Sequence, residues 1–108
     1  MVRVSHVLEA RVLGDGDWIA ATEICQLCRI DLDAMMELAA LGVVEPRETV
    51  PGEWQVPAKA LPRLRVVGRL MQDLGVNVSG AALAVELIEA RRELEGRIRR
   101  LERLVGDY

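Results

Sequence analysis

Apolar positions between residues 22 and 40 recur at helical spacing in two short runs. Ile24, Leu27 and Cys28 form the first, with Thr22 ahead of them as a candidate N-cap. Arg29-Ile30 makes a turn. Asp31 then caps a second run through about Ala40, in which Met35 and Leu38 face inward. Gly42 suits its C-terminal cap. Two short helices joined by a tight turn make a helix-turn-helix. The period then changes. Val43-Val44 and Trp54-Gln55-Val56 are β-formers on either side of EPRETVPGE. Pro46 cannot donate to a ladder and belongs at a strand end or edge, and Pro51-Gly52 is a turn pair. The expectation is a β wing closed by a hairpin. Helical spacing returns with Leu64, Val67, Leu70, Met71 and Leu74 on one face, Pro62 near the start and Gly75 at the close.

Asn77 is the expected cap of a last helix from about Val78 to Val105. At ~1.5 Å per residue it extends about 40 Å, too long to pack wholly on so small a body. Leu87, Leu94, Ile98, Leu101 and Val105 form a heptad seam on it, with leucines at d and Ile98 and Val105 at a. That choice favours two parallel strands, although Arg91 at an a position interrupts the seam and an antiparallel pair remains open. Arg97 at g faces Glu102 at the following e of a parallel partner, and Glu93–Arg97 and Glu95–Arg99 are spaced for i,i+4 pairing. The organisation expected is a winged helix-turn-helix domain over residues 1–76, including an N-terminal extension, and a dimerisation helix over residues 77–108. In that extension Val2, Val4 and Val12 suggest extended chain, and residues 13–17 a turn.

Composition agrees with a mainly α fold. Half of the 108 residues are apolar, yet the aromatics are only Trp18, Trp54 and Tyr108, so Leu, Val, Ile, Met and Ala must build the core. No apolar run reaches the ~18 residues a membrane helix needs. With no signal-like start, a cytoplasmic setting with reduced Cys25 and Cys28 is expected.

Charge changes the picture more. The net charge is -3, but residues 1–46 carry three Arg against eight acids, while residues 47–72 carry five bases against Glu48 and Glu53. A helix that reads DNA exposes Arg, Lys, Asn or Gln near its N-terminus. Here the exposed positions should be Asp33, Met36 and Glu37, and carboxylates facing phosphates are repelled. Arg47, Lys59, Arg63, Arg65 and Arg69 lie elsewhere and read first as a solvated face. An acidic face around an apolar Met36 suits a basic protein surface better, and argues against direct nucleic-acid binding.

Little points to catalysis. Cys25 and Cys28 form a C-x-x-C without a second pair, and the only His is His6, so a zinc site is short of a ligand and small apolar packing is the simpler role. No phosphate loop and no nucleophile–base set can be assembled. No enzyme, cofactor or metal is expected.

The order of helix-turn-helix, LGVVEPRE, Trp54-x-Val, a helix ending in Gly and a long terminal helix resembles the MerR-type layout. More closely, residues 22–48, TEICQLCRIDLDAMMELAALGVVEPRE, resemble the chaperone-modulator family CbpM. From Trp54 to about Val85 the likeness is one of pattern. The resemblance implies a partner: the J-domain of CbpA, a DnaJ-like co-chaperone that also binds DNA, with inhibition of both activities. It implies no catalytic role. Asp33, Met36 and Glu37 are the residues expected to meet that partner, on physical grounds rather than by carry-over. The alternative is a MerR-type DNA-binding transcriptional regulator using the wing arginines; a thiol or metal sensor through Cys25 and Cys28 is a third reading.

Overall fold

The computed structural model describes residues 16–106. The expectations for residues 1–15, including His6 and the valines of the extension, lie outside them. In chain order come β1 (Trp18–Ala20), α1 (Ala21–Cys28), α2 (Leu32–Ala40), β2 (Arg47–Val50), β3 (Glu53–Pro57), a 3-10 turn (Ala58–Ala60), α3 (Leu61–Leu74) and α4 (Val78–Val105). The fold is mainly α, with a small antiparallel sheet as its wing and a long terminal helix.

The sheet has the order β1-β3-β2. β3 is central: Ile19 faces Val56 on one side and Glu48 faces Trp54 on the other. Two features differ from the sequence reading. Trp18–Ala20, assigned to no element there, form the third strand of the sheet. Thr22 is not the N-cap of α1. The helix springs directly from the strand, so Ala20, extended at φ -56 and ψ 133, takes the cap position without a side-chain bond. Thr22 is left exposed inside the first turn.

A further correction concerns Val43-Val44. Both are buried, in a connector rather than a strand. Their side chains fill the core, while Pro46 has no N–H to donate, so the ladder begins only at Arg47. The α2 end is a Schellman motif: Val43 N–H donates to the Leu38 carbonyl at 2.9 Å and Gly42 N–H to Ala39 at 3.1 Å, with Gly42 at φ 81. The start of α2 is as expected, Asp31 Oδ1 accepting from Ala34 N–H at 2.7 Å. Asn77 caps α4 in the same way, accepting from Gly80 N–H at 2.8 Å.

The core is aliphatic. Ile24, Met35, Leu38, Val56, Leu64 and Val67 are fully enclosed, one or two from each of α1, α2, β3 and α3. From α4 only Val78, Ala81, Ala82 and Val85 are buried. Leu74, expected on the inner face of α3, is instead exposed in its last turn. Arg63 ties the layers together, donating from Nη1 to the Val43 carbonyl at 2.8 Å and from Nε to Glu89 at 2.8 Å. The tightest approach is at Gly68 of α3: a Cβ there would stand 1.9 Å from the Cys28 carbonyl oxygen at the end of α1.

Gly68→Ala should therefore destabilise the fold. In an open helix position the same change would gain up to about 1 kcal/mol; here overpacking against backbone should cost about 1–3 kcal/mol. Thermal unfolding checks the sign. Asp31→Ala should cost about 1 kcal/mol through loss of the α2 cap, read by urea denaturation.

Candidate protein-docking surface

The outward face of α2 is set by its inward one. With Ala34, Met35 and Leu38 buried, the positions between them must face out, and Asp33, Met36 and Glu37 are all exposed. Leu32 joins them: it is 45% exposed and Met36 37%. Leu32 and Met36 lie i,i+4, as do Asp33 and Glu37, so an apolar row runs beside an acidic one. Residues 30–46 contain no Lys or Arg, so no neighbour along the chain offsets this charge.

The cations of the wing and α3 are disposed differently. Arg47 lies over the Trp18 ring at 3.9 Å from its centroid and donates from Nε and Nη2 to Gln55 Oε1 at 3.1 and 2.9 Å. It fastens β2 to the rest of the sheet. Arg63 is spent on Val43 and Glu89. Arg65 and Arg69 border grooves along α3, away from the outward row of α2. At the hairpin, Glu48 accepts from Gly52 N–H at 2.9 Å, and the Thr49 hydroxyl donates to the Glu53 carbonyl at 3.3 Å. The wing thus ends in a turn bound by a carboxylate, and its flanks are acidic.

The second exposed surface is the seam. Leu87, Leu94, Ile98, Leu101 and Val105 are between 53% and 63% exposed, and Leu83 and Leu104 continue the same uncovered side. Among the described residues nothing folds back on this stripe. Arg97 pairs with Glu93 at 2.7 Å within the helix, as the spacing predicts, whereas Glu95 approaches Arg91 at 3.6 Å rather than Arg99. The structure keeps the two candidate surfaces on separate elements. α2 packs against α4 where α4 is buried, while the seam begins beyond that contact.

Cys25 and Cys28 share a face of α1, Cys25 half-buried and Cys28 buried. Burial pushes the Cys28 thiol up to about 11, with Cys25 adding to the rise and Arg65 opposing it. Burial, then Asp31, also raises Cys25. Reactive and metal-binding cysteines have the opposite environment, one that favours thiolate. No group of three or more metal-ligating side chains occurs among the described residues. Among the described residues no helix is long and apolar enough to cross a membrane.

Sequence reasoning missed Leu32, Leu83 and Leu104. Leu32 was given no role in the sequence reading; its i,i+4 relation to Met36 was the available signal. Leu83 and Leu104 fall at g positions, outside a strict a/d seam.

Comparison with known proteins agrees with this architecture. Residues 19–103 match the family described as MerR HTH family regulatory protein. A relative from Pseudomonas entomophila (strain L48), named chaperone modulatory protein CbpM, is 31% identical over 85 residues, covering 79% of this chain and 84% of the relative. Proteins of the same name from Coxiella burnetii (strain Dugway 5J108-111) and Salmonella paratyphi B (strain ATCC BAA-1250 / SPB7) are 28% and 31% identical, over 75% and 79% of this chain and 76% and 88% of their own lengths. A MerR-like helix-turn-helix and wing, an acidic second helix in place of a cationic one, and relatives of this kind along most of the length lead to one assignment: the chain belongs to the MerR-type helix-turn-helix proteins and, within them, to the CbpM family of chaperone modulators.

Proposed function

We propose that this protein is a cytoplasmic, non-enzymatic chaperone modulator that binds the J-domain of a DnaJ-like co-chaperone of the CbpA type. Binding inhibits both the co-chaperone activity and the DNA binding of that partner. The observation that carries this reading is the outward face of α2, where Asp33 and Glu37 flank Leu32 and Met36 and no cation lies between residues 30 and 46. A DNA duplex is repelled by that face, whereas a basic helix is attracted to it and finds an apolar strip to bury. Masking the basic helix with which a J-domain engages its DnaK partner gives inhibition by competition. The names of the relatives support a modulating role.

The same reading takes the protein as a homodimer. A helix end that exposes five seam residues, extended by Leu83 and Leu104, leaves more apolar surface in water than a lone chain ordinarily tolerates. A second copy supplies the same heptad stripe in return. Residues 77–108 then serve as the assembly element and the winged domain as the binding element.

Two measurements test this. Asp33→Lys with Glu37→Lys should weaken J-domain binding by roughly tenfold or more at low salt and flatten its salt dependence. Unchanged affinity at low and moderate salt would place the docking face elsewhere, and sequence-dependent nanomolar binding to duplex DNA would favour the transcriptional reading instead. In sedimentation at micromolar concentration the protein should run as a dimer, and Leu94→Glu with Leu101→Glu as a monomer. A monomeric unmutated chain would remove the seam from the account.

A further inference from the structure

Where the first turns of α1 and α2 meet the hairpin, a groove of about 320 Å³ opens to the surface. Thr22 of α1, Leu32 of α2 and Thr49 and Trp54 of the hairpin line it. Ala20 and Ala21, where β1 runs into α1, also line it, and their small side chains leave space there. The walls are held before anything binds. Glu48 and Thr49 bond the hairpin across its turn, and Trp54 packs on the core with its ring only partly covered. Gln55 also lines the groove, and Arg47, stacked on Trp18 and donating to Gln55 Oε1, fixes that side of the sheet. Preformed concavities that leave an aromatic ring and a leucine accessible beside polar groups can concentrate the affinity of an interface.

The groove is continuous with the row described above, because Leu32 belongs to both. From it the apolar line runs one turn along α2 to Met36, beside Asp33 and Glu37. Glu53 lines the groove on the hairpin side. A groove that exposes Leu32 and Trp54 between carboxylates is matched by a helix that carries cations along its flanks and a large apolar side chain between them. Phosphate chains are excluded by the same carboxylates.

We propose that this groove is the anchor pocket of the docking surface: it takes one aliphatic or aromatic side chain from the basic helical segment of the partner. The inference rests on the docking reading above and adds a specificity element to it. Charge on α2 governs how fast and from what distance a basic segment is drawn in. The groove decides which basic segments stay, because one lacking an apolar side chain at the right spacing leaves Leu32 and Trp54 in water.

The test uses the full chain and the isolated J-domain of a CbpA-type co-chaperone, titrated calorimetrically at two salt concentrations. Thr22→Phe fills the groove and Leu32→Ser removes one wall; neither changes a charge. Because they lie on different helices, α1 and α2, a folding defect in one leaves the other informative. Each should weaken binding by roughly tenfold while leaving its salt dependence as it was, the reverse of the signature of Asp33→Lys with Glu37→Lys. If both stay within about twofold of the unmutated chain while the charge reversal weakens binding, the pocket assignment is overturned and the docking reading stands. If the unmutated chain does not bind the J-domain at all, the docking reading fails first and the pocket with it. If Leu32→Ser changes the sedimentation of the protein alone, a second copy covers the groove, and the assignment to a partner is wrong.

Discussion

The arrangement of this protein turns on the contact between Gly68 of α3 and the last carbonyl of α1. Nothing larger than hydrogen fits there. The contact brings α3 against the end of α1, where Arg29 must turn the chain in a left-handed conformation at φ 60, and Gln72 of α3 donates to the Arg29 carbonyl at 3.1 Å. A non-glycine residue in that conformation costs roughly 1–2 kcal/mol, so the turn persists because its surroundings hold it. From that turn follows the direction of α2, then the burial of Met35 and Leu38, then the exposure of Asp33, Met36 and Glu37 on the other side. The proposed docking face is the reverse side of a packing solution.

A MerR-like frame can keep its shape while exchanging the class of molecule it meets, because shape and charge are carried by different residues. Ile24, Met35, Leu38, Val56 and Leu64 hold the frame and would do so under either function. The outer positions of α2 bear no structural duty beyond solubility, so carboxylates cost the fold little there. The wing shows the same division in another way. Its arginine remains, but Trp18 and Gln55 engage the guanidinium from within the sheet. A residue type that suggests phosphate contact in a sequence becomes a clamp in three dimensions.

Local chemistry was readable from the chain, and so was periodicity over long elements. Asp31 and Asn77 cap the helices they were expected to cap, Gly75 ends α3 at φ 67, and α4 runs from Val78 to Val105. These features depend on neighbours within a turn or two. The failures involve distant partners. Three residues, Trp18 to Ala20, are too few to show strand alternation, and their pairing with β3 lies far along the chain. Val43 and Val44 have strand propensity, but tertiary burial claims them first. Thr22 is a good capping type displaced by a strand that runs unbroken into the helix. Exposure on α2 was legible because helical geometry fixes it. The groove was not, since Leu32 and Trp54 are joined only by the folded hairpin.

The terminal helix carries a consequence of its own. Beyond Val85 it has little of the body to lean on, and Arg63–Glu89 is its last tie to α3. Past that point it is sustained by backbone bonds and surface ion pairs, which leave an isolated helical segment only marginally ordered. Under the proposed pairing its outer half is the part of the molecule whose persistence would be a matter of mass action. A second chain that covers the leucines would hold it wound, and folding and association would then form a single equilibrium in this region.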